Sequence, residues 1–181
     1  MSAYKLIAAD QVVYDLDHAY GQIKLENVFT TEYDCYKLFV TYTGNQSTYK
    51  RIRFTSAAGI VTGSAYSYNS NLWIDTGYVE SDAASTSHGG LVVGSNTSAR
   101  RQANMGKLAM TIWQPANTNE KTIMFSAGFS DNTSNTEQTV IHCAAEGTYA
   151  TAITGMSFEA YGIGEDIENV SYELYGVELW V

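Results

Sequence analysis

The chain has 181 residues, of which 45% are hydrophobic and only 16% charged, with 14 tyrosines and a formal net charge of −9. That length supports one domain, spanning 1–181, with a substantial core, and the acidic balance sets the chain against phosphate backbones, so no nucleic-acid partner is expected. No run approaches the ~20 apolar residues of a membrane-crossing helix, and "MSAYKLIAADQVVYDLDHAYG" at the start has neither a long apolar stretch nor a cleavage site, so no membrane segment or leader is expected.

Along the chain, nearly every apolar segment has period two, the signature of a strand with one buried face. The first candidate strand is Tyr4 to Ala8. "IKLENVF" then places Ile23 and Leu25 on one face, and "CYKLFVTYT" aligns Tyr36, Leu38, Val40 and Tyr42. In "YKRIRFT", Ile52 and Phe54 point inward while Arg51 and Arg53 face out. Further strands are expected within Ser64 to Ile74 and at Leu91 to Val93. "KLAMTIW" aligns Leu108, Met110 and Ile112, and "KTIMFSAGF" aligns Ile123, Phe125, Ala127 and Phe129. "QTVIHCA" contributes Ile141 and Cys143, and "TGMSFEAYG" contributes Met156, Phe158 and Ala160. The last stretch, "ENVSYELYGVELWV", sets Val170, Tyr172 and Leu174 on one face. A glycine bulge at Gly176 is expected there, shifting the apolar row to Val177, Leu179 and Val181.

No window of a dozen residues carries a helical period. Turn signals such as "TGNQST", "SAAG" and "SDNTSNTEQ" separate the strands, and Pro115 lies just past Trp113, where it can end a strand without breaking a ladder. The expectation is an all-β, two-sheet antiparallel sandwich of roughly eight to ten strands. The least regular stretch, at about 81–105, is rich in Ser, Ala, Gly and Asn. Long loops of this kind are often functional, and contacts outside the domain are expected of it.

Charge is unevenly spread, because no Lys or Arg follows Lys121. The basic residues cluster in "YKRIRF" and "SARRQANMGK". These groups read either as solvated surface or as a patch that meets the acidic C-terminal region of another copy. Cys35 and Cys143 lie far apart inside strand-like runs, where cysteine acts as a small buried hydrophobe, and no metal or redox spacing is present. A chain made and kept in a reducing cytoplasm is expected.

The polar clusters are weak as chemistry. Asp15, Asp17 and His18 match no ligand spacing and sit where a turn is expected. Glu165, Asp166, Glu168 and Asn169 lack the spacing of a calcium loop. His142 and Cys143 are neighbours on a strand and face opposite ways, which separates them as a nucleophilic pair. The G-x-S-x-G elbow, the phosphate-binding loop and the dinucleotide fingerprint are all missing. No enzymatic activity, cofactor or metal is expected. The aromatic run "AYSYNSNLW" carries Tyr66, Tyr68 and Trp73, which read either as packing residues or as a platform for stacking on a glycan.

The stretch "ITGMSFEAYGIGEDIENVSYELYGVE" resembles the final hairpin of a jelly-roll domain found in virion proteins of tailed bacteriophages. "YDCYKLFVTYT", "YKRIRFTSAAG" and "AMTIWQPANTNEKTIMF" are similar to its earlier strands in the same order. The resemblance implies an eight-stranded jelly roll that assembles as a homotrimer in the virion. The same resemblance implies a role there as a capsid decoration (cement) protein on the major capsid protein, or as a fibre or tail component that contacts the host. Low charge and many hydroxyls and rings suit a surface partly covered by neighbours. The absence of a repetitive shaft favours decoration of the capsid exterior. For that role His88, Arg100 and Arg101 are the expected capsid contacts. Leu179, Trp180 and Val181 are expected to be buried in the sandwich or against a neighbouring subunit. The competing readings are a receptor- or glycan-binding tail or head-fibre component and a non-viral carbohydrate-binding β-sandwich.

Overall fold

The computed structural model describes residues 3–13, 22–43, 49–61, 67–73, 79–83, 91–93, 105–118, 129–131, 138–146, 151–161 and 169–178. Among these there are thirteen strands and no helix, and so no helix long and apolar enough to cross a membrane. Eight strands form the body of the fold. They are β1 (Ala3–Val13), β2 (Gln22–Leu25), β3 (Cys35–Thr43), β4 (Tyr49–Ser56), β8 (Leu91–Val93), β9 (Met105–Trp113), β12 (Ile153–Tyr161) and β13 (Asn169–Glu178). One sheet runs β1-β13-β3-β9 and the other β2-β12-β4-β8, with every pair antiparallel. Within these eight, successive strands lie in opposite sheets except β4 and β8, which pair with each other. First and last strands end up side by side, which is jelly-roll winding.

Five further strands extend this body. β5 (Gly59–Ile60) folds back on β4, while β10 (Phe129–Asp131), β11 (Gln138–Glu146), β6 (Ser67–Trp73) and β7 (Val79–Ala83) continue the first sheet beyond β9. Within the stretch expected as an irregular loop, residues 81–83 belong to β7 and 91–93 form β8.

The core lies between the two sheets and is built from the alternations read along the chain. Ile23 and Leu25 of β2, Tyr36, Leu38, Val40 and Tyr42 of β3, and Ile52 and Phe54 of β4 are all buried in it. Leu108, Met110 and Ile112 of β9, Met156 and Phe158 of β12, and Val170 and Leu174 of β13 complete it. Burial pushes the Tyr42 phenol up to about 12. β9 stops where expected, since Gln114 turns the backbone to a φ of 42° just before Pro115.

The segment between β2 and β3 closes one end of the sandwich. Phe29 and Tyr33 insert into the core, edge-on to the Tyr36 ring at 4.8 and 5.7 Å between centroids. The Tyr36 hydroxyl accepts from the Thr30 backbone N–H at 2.7 Å and donates to the Thr30 carbonyl at 3.0 Å. The Phe29 N–H reaches the Thr154 carbonyl on β12 at 3.1 Å. A fully buried ring thus pins a crossover loop through one oxygen. Tyr36→Phe keeps the ring and orphans two backbone groups, so urea unfolding is expected to show a loss of about 1–3 kcal/mol. A loss under ~0.5 kcal/mol would mean that water replaces the hydroxyl freely.

The expected bulge at Gly176 is corrected by the pairing. β13 runs in unbroken register against β3 from Asn169↔Thr43 to Val177↔Cys35. The only shift along β13 arises on β1, between Leu6 and Ala8. That bulge turns the consecutive residues Ile7 and Ala8 to pack against the core. Gly176 stays in phase with Leu174, and its missing side chain makes room for Tyr33, whose ring carbons would lie 2.5–2.7 Å from a Cβ there. Val177 accordingly falls on the outer face with Cys35, and both are buried yet neither belongs to the core cluster. Cys35 is a free thiol whose pKa is raised by burial.

Candidate functional site: an aromatic strip on the outer face of one sheet

The outward face of a jelly-roll sheet is ordinarily the polar phase of each strand. On β1-β13-β3-β9 it is not. The register lines up Tyr4, Val177, Cys35 and Trp113 across the four strands, then Leu6, Tyr175, Lys37 and Thr111, then Ala9, Glu173, Phe39 and Ala109. Tyr4, Leu6, Phe39 and Trp113 are 55%, 53%, 45% and 39% exposed, so each offers a large apolar surface to solvent. A scattered exposed apolar residue needs no explanation, but several on one sheet face, with Tyr4 and Phe39 joined through Tyr175, mark an interaction surface.

The rings are ordered by one another. Tyr175 sits at the centre, edge-on to Tyr4 at 6.4 Å and to Phe39 at 6.2 Å between centroids. Its hydroxyl donates to Glu173 Oε2 at 2.7 Å, and that bond raises the Tyr175 pKa. The Lys37 ammonium lies 5.6 Å from the centroid of the Tyr4 ring. At the edge, Lys5 bridges to Glu32 at 3.3 Å, and the Tyr33 hydroxyl donates to Glu32 at 2.7 Å. These two hydrogen bonds, Tyr33 first and Lys5 second, hold the Glu32 carboxyl below its usual range. The result is a stiff apolar strip rimmed by individual charges, the composition of a protein–protein contact with an apolar centre. Rings with two side-chain torsions lose little entropy when covered.

Leu179, Trp180, Val181, His88, Arg100, Arg101 and Tyr66 lie outside the described residues, as do Asp15, Asp17, His18, Glu165, Asp166 and Glu168. Leu179 follows the strip in sequence directly after Glu178, the last residue of β13. Tyr68 and Trp73 both lie in β6, opposite Ala145 and Val140 in an unbroken register. Their odd spacing puts the two positions on opposite faces of the sheet. In the basic run "YKRIRF", Arg53 makes a two-pronged ion pair with Glu159 of its own chain, with Nη2 to Oε2 at 2.8 Å. For Arg53 the acidic partner is intramolecular, which corrects the reading that it reaches another copy. No group of three or more His, Cys, Asp or Glu among the described residues is placed to hold a metal ion.

Sequence reasoning passed over Tyr4, Leu6, Phe39, Trp113 and Tyr175 because it followed the inward phase. The signal was present in the other phase. Phe39 occupies an outward position between Leu38 and Val40, and Tyr175 does the same after Leu174. A large ring on the polar phase of a strand is the mark that would have found them. No protein-family model and no curated protein matches this sequence.

Proposed function

We propose that the chain is a non-enzymatic structural virion protein of a tailed bacteriophage, a homotrimeric decoration protein bound to the major capsid protein on the outside of the head. In this reading it is made in the host cytoplasm and joins the capsid after folding. The observation that carries the reading is the ordered apolar strip Tyr4, Leu6, Phe39, Trp113 and Tyr175 on an outward sheet face. Such a strip is of use when another protein surface covers it, and the paired strands hold its residues at fixed register. The phage assignment rests on the resemblance of the strand sequences to virion jelly rolls, and the fold agrees with it.

Light scattering coupled to size-exclusion chromatography, at low and high salt, tests the self-association. A mass three times the chain's 19.8 kDa that survives high salt is expected, because apolar burial is not screened by ions. Added to undecorated heads, the trimer should bind and raise their resistance to heat and low salt. A monomer at every salt concentration, or heads that gain neither protein nor resistance, would overturn the proposal.

A further inference from the structure

On the other side of the sandwich, the outward face of β2, β12 and β4 holds a groove of about 420 Å³. It is independent of the aromatic strip, and its chemistry is different. β2 contributes Gln22 and Lys24 to one wall and β4 contributes Thr55 to the other, with Ser157 of β12 between them. Ile60, 47% exposed, stands at the β5 end.

Ser157 is the informative residue. It is 5% exposed, it lines the groove, and its Oγ has no hydrogen-bond partner among the described residues. Buried hydroxyls are almost always paired, so one left unpaired against a cavity calls for a partner that enters from outside the chain. Its cross-strand neighbours on that face are Lys24 and Arg53. Arg53 is tied to Glu159, whereas Lys24 is exposed. Lys24 is therefore the side chain that can swing clear of Ser157 and then donate to whatever sits there.

Between the lining residues Thr154 and Met156, the backbone of β12 is held close to β2. Gly155 lies so near β2 that a Cβ there would be 2.2 Å from the Leu25 carbonyl oxygen. The strands beside the groove are therefore held at a fixed spacing, and the Lys24 side chain is the part that moves when a ligand reaches Ser157.

The lining also specifies the ligand's character. Lys24 and Glu26, both exposed, cancel in formal charge, so the groove selects neither an anion nor a cation. Its other polar lining groups are amides and hydroxyls; Ser56 Oγ and Thr154 Oγ1 already donate to the Gly59 and Thr55 carbonyls, which leaves Ser157 Oγ as the orphaned hydroxyl for a neutral polyhydroxylated molecule. Ile60 adds an aliphatic surface for the C–H face of a ring. The volume is at the small end of ligand sites, roughly 300–1,000 Å³, and suits about one or two pyranose rings. We propose that this groove binds a neutral hexopyranose unit, with Ser157 Oγ as the anchoring hydrogen-bond partner and Lys24 as a donor above it.

The test is a titration of the isotopically labelled full-length chain, followed in relaxation-optimised amide spectra. Glucose, galactose and N-acetylglucosamine are added separately up to tens of millimolar, with sodium phosphate as a charged probe. Saturable shifts are expected for at least one sugar, centred on Gln22 to Glu26, Thr55 to Ile60 and Ser157. Ser157→Val should weaken that binding about tenfold or more. Ser157→Ala, which adds no bulk, should do the same and guards against a valine that disturbs the strand, with amides outside the groove reporting an intact fold. The methyl glycoside of the bound sugar separates two sources. Equal affinity identifies a unit within a glycan chain, and lost affinity identifies a free reducing sugar; either supports the site. No saturable shifts with any sugar, affinity unchanged in both variants, or binding of phosphate in place of sugar would overturn it. None of these outcomes depends on the oligomeric mass.

Discussion

Replacing Leu6 and Phe39 together with serine is expected to convert the proposed trimer to single chains while leaving the fold intact. Each side chain is about half exposed in the isolated protein, at 53% and 45%. Covering that exposed half is worth on the order of 1 kcal/mol per side chain per contact. Summed over two side chains and three equivalent contacts, the loss is about 6 kcal/mol, or roughly four decades in the association constant. Folding loses far less, because neither residue belongs to the core cluster and surface changes usually fall within about 0.5 kcal/mol each. Light scattering on the double variant should give the mass of one chain, with a circular-dichroism melt of one chain still cooperative. A variant that keeps the trimer mass would place the self-association elsewhere on the molecule.

Gly155→Ala is expected to be the most damaging single methyl added among the described glycines. The new carbon would sit 2.2 Å from the Leu25 carbonyl oxygen and 2.8 Å from Thr55 Oγ1. The first of these is backbone, held in the β2–β12 ladder, so relief requires β2 to move away from β12. β2 is only four residues long, and all four pair with β12. A loss of about 3 kcal/mol follows from overpacking against a rigid neighbour, lowering the melting temperature by roughly 6–12 °C. Gly176→Ala meets a ring instead, with Tyr33 Cγ at 2.5 Å. Relief there takes a shift of the whole Tyr33 side chain on a crossover segment rather than of a paired strand, so a smaller loss of about 1–2 kcal/mol is expected. Urea unfolding of the two variants gives the comparison. Equal losses, or a Gly155 variant within about 0.5 kcal/mol of the parent, would mean that the β2 ladder yields as easily as the Tyr33 ring.

The alternation in "CYKLFVTYT", "YKRIRFT", "KLAMTIW" and "TGMSFEAYG" determined by itself which residues enter the core. Tyr36, Leu38, Ile52, Phe54, Leu108, Met110, Met156 and Phe158 are buried as their phase requires. This much is legible because the pleat is local. Successive side chains point to opposite faces whatever the strand pairs with, and burial then selects the apolar phase. The all-β class and the end of β9 before Pro115 follow from equally local rules.

What covers or exposes the other phase was decided by pairing across long separations. The bulge assigned to Gly176 lies instead on β1, because β3 holds β13 in one register over its whole shared length. Arg53 found Glu159 because β4 and β12, over a hundred residues apart in sequence, are neighbours. Tyr4, Phe39 and Tyr175 make a single strip because β1, β13 and β3 bring three distant outward positions within ring contact. Ser157 meets a groove because β2 and β4 flank β12. A sequence specifies the phase of each strand by its own chemistry, whereas a surface shared by several strands exists only once their non-local order and register are set, and both candidate sites of this protein are surfaces of that kind.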